Sequence, residues 1–136
     1  MLFRDEYAFL SNMYLLPDGK SVEHYFQALK CVNADEREAV LASASPRDAK
    51  KQGRRVKMRS DWLDVREAFM LACLRYKFST FPHLAEMLLA TGDIDLIEEN
   101  WWNDKFYGVD VKTGEGLNVL GKLLMRVRKE LRENAL

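Results

Sequence analysis

The sequence predicts an α+β fold that is predominantly helical, with a small strand component, as one domain spanning residues 1–136. Three observations predict it. Apolar residues recur at helical spacing in several segments. Residues that cap helices stand where most of these segments begin. Alternation typical of strands is weak and confined to short stretches. A chain of 136 residues is long enough for one hydrophobic core and short for two.

The N-terminal elements follow from local signals. Residues 3–16 are aromatic with weak alternation and predict a short strand or an extended segment. Residues 17–20, Pro-Asp-Gly-Lys, predict a turn, because proline presets φ and glycine accepts a positive φ. A first helix is predicted over about residues 21–32, with Ser21 as its N-cap. A second is predicted over about residues 35–44, because acidic residues at its start suit the positive end of the helix dipole.

The central helices have clear boundaries. A third helix is predicted to begin at Ser45 as cap with Pro46 in the first turn, and to end near Gly53. A fourth is predicted from the cap Asp61 to about Phe78. Its predicted core stripe, at i, i+3 and i+4 spacing, consists of Trp62, Val65, Phe69, Ala72, Cys73 and Tyr76.

The C-terminal part combines helices with an irregular stretch. Residues 82–90 predict a helix opened by proline, and residues 93–100 predict a short one. Residues 101–118 contain three glycines and predict irregular or strand-like structure. The last helix carries apolar residues at core spacing, namely Val119, Leu120, Leu123, Leu124, Val127 and Leu131.

Composition excludes several classes of protein. Lysine plus arginine number 21 and aspartate plus glutamate number 21, which argues against a uniformly basic nucleic-acid-coating protein. No apolar run approaches the ~20 residues that span a bilayer, and no signal peptide is recognisable, so a cytoplasmic protein without a membrane partner is expected. Cys31 and Cys73 are expected to be reduced core thiols. Metal-ligand spacing is absent from the sequence, so no metal site is predicted.

A polar stripe follows one side of the first predicted helix. Glu23, Gln27 and Lys30 stand at i, i+4 and i+7 beside the apolar face of that helix. A carboxylate, an amide and an amine at the edge of a core suit the wall of a cleft. Periodicity alone favours the alternative, a solvated helix face. His24 lies outside this stripe and is predicted to be structural.

Three further stretches could carry chemistry. Residues 50–59 hold six cations and no acid, which suits phosphate binding or a solvated helix end. Residues 101–107 hold four aromatics, which suit stacking on a base or closure of the core. Residues 113–121 form a glycine-rich loop before a helix, where amides suit an anion and Asn118 could instead be an N-cap.

Taken in order, these stretches resemble the NADAR or YbiA-like N-glycosidase family (DUF1768-type domain). The two opening motifs are Phe-Leu-Ser-Asn at residues 9–12 and Glu-His-Tyr-Phe-Gln-Ala-Leu-Lys at residues 23–30. The remaining motifs are Ala44-Ser-Pro46, Ala49-Lys50, Gly53-Arg54, Asp61-Trp62, Lys77-Phe78, Thr91-Gly-Asp93, Asn103-Asp104, Gly108, Gly114-x-Gly116-x-Asn118 and Leu120-Gly121. The chain departs from the family pattern at Tyr107, where the family usually has tryptophan, and at Met13, where it usually has phenylalanine.

The resemblance implies an enzyme that hydrolyses the N-glycosidic bond between a ribose-type sugar and a base. The implied substrates are small phosphoribosyl compounds, such as ribosylaminopyrimidine intermediates of the riboflavin pathway, or ADP-ribosylated guanine in nucleic acid. No cofactor is implied. The alternative from a different class is a module that binds ADP-ribose or a nucleotide without cleaving it. Glu23 favours the enzyme, whereas tyrosine at residue 107 keeps the alternative open.

Roles for individual residues follow from the resemblance and the chemistry of the bond. The catalytic candidates are Glu23, Lys30 and Asp110. Glu23 would stabilise an oxocarbenium-like state or activate water, and Lys30 would hold phosphate or form a Schiff base with the ring-opened sugar. The substrate-binding candidates are Asn12, Gln27, Lys50, Arg54, Trp102, Asp104, Tyr107, Gly108 and Asn118. Among these and Asp110, the expected contacts are phosphate for Lys50 and Arg54, the base for Trp102 and Tyr107, and sugar hydroxyls for Asn12, Asp104, Asp110 and Asn118.

Overall fold

The structure is a computed structural model that describes residues 1–134. Within that part of the chain it contains a 3₁₀ helix, six α-helices and two short parallel strands. In chain order these are the 3₁₀ helix (Asp5–Leu10), α1 (Val22–Leu29), α2 (Ala34–Leu41), α3 (Pro46–Gly53), α4 (Trp62–Thr80), α5 (Pro82–Ala90), β1 (Glu99–Asn100), β2 (Val109–Asp110) and α6 (Val119–Arg132). The predicted helical α+β class is confirmed. None of the helices in residues 1–134 is long and apolar enough to cross a membrane.

The described residues group into two compact units. Unit 2 comprises residues 12–73, and unit 1 comprises Met1–Ser11 together with the chain from Leu74 onward. The boundary between Cys73 and Leu74 falls inside α4. The single domain over residues 1–136 stays a prediction.

Unit 2 contains the three short helices α1 to α3, of which α1 and α3 begin at the predicted caps, while α2 begins after Asn33, which was not predicted as a cap, and ends at Leu41. Ser21, Asn33 and Ser45 are the N-caps, and each accepts a hydrogen bond from a backbone amide of the first turn. Pro46 occupies the first turn of α3, and Gly53 ends it, as predicted. The three helices pack around a small apolar core of Ala28, Cys31, Val40 and Ala49, with Leu41 and Val56 against it.

Two predictions about single side chains in unit 2 are confirmed. His24 is buried, with Nδ1 at 2.8 Å from the Ser21 hydroxyl and Nε2 at 3.0 Å from the Ser43 carbonyl oxygen, so it is structural. Cys31 and Cys73 are buried free thiols. Burial raises the pKa of Cys73 to about 12, and the charge of Glu23 contributes, so this thiol is not a nucleophile at neutral pH.

Unit 1 contains α5 and α6, which pack against each other. Pro82 opens α5 and Ala90 ends it, as predicted. The predicted core residues of α6 are buried except for Leu131, which is half-buried near the end of the helix. The parallel pair of β1 and β2 sets Glu99 opposite Val109 and Asn100 opposite Asp110.

The strand or extended segment predicted over residues 3–16 is wrong, because the chain forms a 3₁₀ helix over Asp5–Leu10. Phe9 and Leu10 are adjacent and both buried, which the alternating faces of a one-sided strand do not permit. Two acids, Asp5 and Glu6, occupy the first turn, where they favour a helix start.

The short helix predicted over residues 93–100 is also wrong. The backbone groups of this segment bond elsewhere: the Glu98 carbonyl oxygen accepts from the Val109 amide at 2.8 Å, and that of Asn100 accepts from the Val111 amide at 2.9 Å. These long-range bonds replace the local i to i−4 bonds that a helix needs. Tertiary pairing therefore overrides local helical preference here.

The predicted core stripe of the fourth helix is partly wrong. Ala72 and Tyr76 are exposed, whereas Met70, Leu74 and Phe78, spaced at i, i+4 and i+8, are buried. The predicted stripe follows the apolar residues at the start of the helix, whereas the buried face of its second half is rotated away from that stripe. The same face carries Lys77, whose side chain is fully buried.

Burial of Lys77 predicts a pH-dependent stability. Its Nζ donates to the Ser11 carbonyl oxygen at 3.1 Å, and burial lowers the pKa of this amine from 10.5 to about 7. Between these values the unfolded chain binds a proton that the folded chain does not, so the free energy of unfolding rises with pH. Between pH 7 and pH 9 the rise is about 2–3 kcal/mol.

We therefore expect the variant Lys77→Met to lose this rise in urea unfolding measured at pH 7 and pH 9. The variant Lys122→Met, which replaces an exposed lysine of α6, is the control and should keep it. The same dependence in Lys77→Met as in the wild type would contradict the assignment.

Candidate active site

In unit 2 the polar stripe of α1 is buried. Glu23 and Gln27 are 7% and 6% exposed, so the solvated helix face is excluded for these two residues. Ser21 begins the helix, and the Glu23 amide donates to the Asn12 carbonyl oxygen at 3.0 Å. One turn later the Gln27 Nε2 donates to the Glu23 Oε1 at 2.7 Å. A buried carboxylate is thus held by an amide donor on the same helix, as the i, i+4 spacing predicts.

Lys30 follows at the C-cap of α1 and is half-buried. Its carbonyl oxygen accepts from the Arg59 amide at 2.9 Å, and its Nζ lies 6.0 Å from the centre of the Trp62 ring. Burial lowers the pKa of the Lys30 amine, and the nearby charges of Arg54 and Lys50 lower it further, while Glu23 opposes them. A larger neutral fraction makes this amine a better nucleophile than a solvated lysine.

Helix α3 supplies the two cations that act on Lys30. Lys50 is half-buried and Arg54, the C-cap of α3, is exposed, one helical turn apart. The predicted cluster of six cations therefore divides in the structure. Arg59 is engaged with Asp61, with Nε at 2.6 Å from Oδ1. The exposed cations of the run are Lys51, Arg54, Arg55 and Lys57.

Trp62, predicted from the sequence as a core residue, also lies beside Lys30. It is 5% exposed and packs against Phe26 and Phe69, with ring centroids 5.0 Å and 6.1 Å apart. The same ring faces the ammonium of Lys30, where a cation–π contact favours a fixed position of that group. The i, i+3 pattern predicts burial of a tryptophan but not which cation lies over it.

Asn12, predicted to contact a sugar hydroxyl, lies beside Glu23 through its backbone. Its Nδ2 donates to the Met70 sulfur at 3.5 Å, and its Oδ1 is buried without a hydrogen-bond partner among residues 1–134. An unpaired buried acceptor is costly and is typical of a site that meets a donor from a ligand or from water. Unit 2 therefore brings together six of the predicted site residues, which are Asn12, Glu23, Gln27, Lys30, Lys50 and Arg54.

Unit 1 carries the other predicted site residues, and Asp104 organises their loop. Its Oδ1 accepts from the amides of Phe106 and Tyr107 at 3.1 Å and 3.0 Å. The buried Asn100 side chain holds the Asp104 backbone by two hydrogen bonds of 2.9 Å. Sequence reasoning missed Asn100, because it placed that residue in a helix. Asp104 thus shapes the loop that presents Tyr107, and its contact with a sugar stays a prediction.

The aromatic residues of this loop differ in exposure. Trp102 is 62% exposed, whereas Tyr107 is half-buried and meets Phe106 edge to face at 4.7 Å. An exposed tryptophan can stack on a planar ligand, because its ring face is not packed against the core. Core closure, the alternative weighed from the sequence, does not describe Trp102.

Gly108 and Asp110 serve the local structure of unit 1. A Cβ on Gly108 would lie 2.3 Å from the Glu98 carbonyl oxygen, so this position requires glycine for close packing. The Asp110 Oδ1 accepts from the Lys112 amide at 2.9 Å and stabilises its own turn. The predicted roles of both residues toward a substrate stay predictions.

Asn118 connects the start of α6 to the segment before β1. It stands at the N-cap position in the left-handed region, with φ of 51°, yet its side chain makes no cap bond. Instead its Oδ1 accepts from the Glu98 amide and its Nδ2 donates to the Leu96 carbonyl oxygen, each at 3.0 Å. Both polar groups of this buried amide are engaged, and its contact with a sugar hydroxyl stays a prediction.

The sequence matches the model of the NADAR domain over residues 3–132. The chain belongs to the NADAR domain family. The N-glycosidase YbiA of Escherichia coli strain K12 is 40% identical over 135 residues, which is 93% of this NADAR chain and 83% of that protein. The N-glycosidase Npun_R5314 of Nostoc punctiforme is 39% identical over 117 residues, covering 82% of this chain and 74% of that protein.

A plant relative is longer. The chloroplastic riboflavin biosynthesis protein PYRR of maize is 40% identical over 123 residues, and this NADAR chain spans only 19% of its length. The solved NMR structure of E. coli YbiA aligns with a TM-score of 0.85 at 35% identity and covers 99% of this chain and 84% of that one. These relatives confirm the family and the predicted enzyme class, a hydrolase acting on N-glycosyl bonds.

Proposed function

We propose that this NADAR protein hydrolyses the bond between a base and the C1 carbon of a phosphorylated ribose-type sugar. The observation that carries the proposal is the arrangement in unit 2, where buried Glu23 is held by Gln27 and the amine of Lys30 lies among further cations. Relatives named as N-glycosidases and as riboflavin biosynthesis proteins support it.

Glu23 acts on the sugar carbon. Cleavage at C1 passes through an oxocarbenium-like state, so a carboxylate beside it stabilises the positive charge and takes the proton of the attacking water. Gln27 donates to one carboxylate oxygen, which leaves the other available for that proton. Burial strengthens the electrostatic effect, because the local dielectric constant is lower than that of water.

Lys30 offers a second route at the same carbon. Its neutral amine attacks C1 of the ring-opened sugar, the base leaves with a proton, and the resulting imine is hydrolysed by water to the sugar aldehyde and free lysine. Protonated, the same group binds phosphate together with Lys50 and Arg54. The candidates of unit 1 keep the roles given above, with Trp102 and Tyr107 for the base and Asp104, Asp110 and Asn118 for hydroxyls.

Removal of the two cations of α3 should weaken substrate binding. We expect Lys50→Gln and Arg54→Gln each to raise KM for a phosphorylated substrate roughly tenfold, because a charge-assisted hydrogen bond contributes ~1.5–3 kcal/mol. The loss in kcat should be smaller than the rise in KM and comes from the pKa of Lys30, which each of the two cations helps to lower. The matched controls are Lys51→Gln and Arg55→Gln, which remove neighbouring exposed cations of the same run. Equal effects of all four variants, or of none, would count against a phosphate site at Lys50 and Arg54.

The salt dependence of KM distinguishes a free metabolite from an ADP-ribosylated nucleic acid as the substrate. KM for a polyanion rises steeply with salt concentration, since each phosphate contact releases counterions, whereas KM for a small phosphate ester changes little. We propose the small phosphoribosyl compound as the primary substrate. Two cations, Lys50 and Arg54, act on Lys30, and the other exposed cations of residues 50–59 are few: Lys51, Arg55 and Lys57. A KM that is lower for the nucleic-acid adduct and that rises steeply with salt concentration would reverse this assignment.

A further inference from the structure

Gly53, the last residue of α3, lies against the carboxamide of Gln27. An ideal Cβ placed on Gly53 would lie 2.0 Å from the Gln27 Oε1, 2.7 Å from its Cδ and 3.1 Å from its Cβ. The first two distances are well below van der Waals contact. Gly53 is not among the glycines with a positive φ, so its backbone would accept alanine and only the space would not.

The orientation of the Gln27 carboxamide is fixed by Glu23. Its NH₂ group donates to the carboxylate, so its oxygen must point the other way, toward Gly53. There the oxygen is buried and has no hydrogen-bond partner among residues 1–134. The reversed orientation would set the amide oxygen against the carboxylate oxygen. The Gln27 amide thus keeps its hydrogen bond to Glu23 while its own oxygen remains an unpaired buried acceptor.

We infer that Gly53 is a positioning residue for the reaction, because its missing side chain is the space that keeps the Gln27 donor on Glu23. The inference rests on the proposed function of Glu23. A carboxylate that acts on a reacting carbon must be held to within about half an ångström, and a second layer of contacts supplies this precision. A methyl group on Gly53 displaces the carboxamide and with it the hydrogen bond that Gln27 donates to the Glu23 carboxylate.

The test is a double-variant cycle on Gly53 and Gln27, measured as kcat, KM and unfolding temperature. Gly53→Ala should lower kcat about tenfold or more and leave KM within about twofold. Gln27→Ala should lower kcat to a similar degree, and the combined variant should be no slower than Gln27→Ala alone, since the carboxamide that needs the space is gone. Lys51→Ala, an exposed position of the same helix, controls for general effects on α3 and should keep wild-type kcat.

The unfolding temperature separates the contact from the chemistry. Alanine favours a helix over glycine, so Gly53→Ala should raise the unfolding temperature in the Gln27→Ala background and not in the wild-type background. Two results would overturn the inference about Gly53 but not the proposed function. One is a wild-type kcat in Gly53→Ala, and the other is a combined variant whose loss in kcat is the product of the two single losses. Full activity in Glu23→Gln would instead overturn the proposed function, and the reaction role of Gly53 with it.

Discussion

The variant Glu23→Gln is expected to lose at least about a hundredfold in kcat, because general acid–base assistance contributes ~10²–10⁴ in rate. Glutamine has the same shape as glutamate but carries no charge to stabilise the sugar cation and accepts no proton from water. The Gln27 Nε2 can still donate to an amide oxygen at residue 23, so the helix retains its internal contact. The measurement is the initial rate of base release at saturating substrate.

The matched control for this variant is Glu38→Gln, which changes an exposed glutamate of α2 in the same unit. It should keep the wild-type rate. Unfolding temperatures of both variants establish that the proteins are folded. More than a tenth of the wild-type rate in folded Glu23→Gln would mean that another group is the key carboxylate.

The Schiff-base route predicts that the variant Lys30→Arg loses roughly a hundredfold in kcat, since arginine keeps the positive charge but offers no amine for attack on C1. The same experiment has a chemical readout. Borohydride added during turnover should reduce the imine on the wild-type protein to a stable secondary amine, seen as a mass increase that maps to Lys30. The variant should show no such adduct.

Lys50→Arg serves as the control for Lys30→Arg, because it makes the same exchange at a neighbouring lysine that is assigned to phosphate. It should form the adduct and keep at least about half of the wild-type kcat. A trapped adduct on Lys50, or the absence of any adduct from an active wild-type protein, would reject the Schiff-base route and leave Lys30 with a role in phosphate binding.

Local signals in the sequence predicted the helices with caps. Helix starts are marked by serine caps, whose side chains accept hydrogen bonds from first-turn amides, and by prolines, whose rings preset the first-turn φ. These residues are Ser21, Ser45 with Pro46, and Pro82, and each acts on residues next to it in the chain. The spacing of Glu23 and Gln27 likewise predicted that both lie on one side of α1, where the structure joins them by a hydrogen bond. Such features are visible in one sequence because both partners lie within one helical turn.

Long-range contacts explain what the sequence did not predict. The segment before β1 forms no helix because Asn118 and β2 take its backbone groups, and these partners lie ten residues or more away. Lys77 is buried although lysines are rarely so, and nothing local signals the Ser11 carbonyl that it meets. The sequence predicts Gly53 only as a helix end, because its contact with Gln27 depends on the packing of α1 against α3.

The central claim is that buried Glu23 drives hydrolysis of an N-glycosidic bond. It is tested by incubating the wild-type protein and Glu23→Gln with a phosphorylated ribosylaminopyrimidine and, in parallel, with ADP-ribosylated guanine nucleic acid, and by quantifying released base and free sugar. We predict many turnovers by the wild-type protein on at least one substrate, equal amounts of base and sugar, and almost none from Glu23→Gln. Tight binding of these substrates by the wild-type protein without release of base would contradict the claim and indicate a binding module.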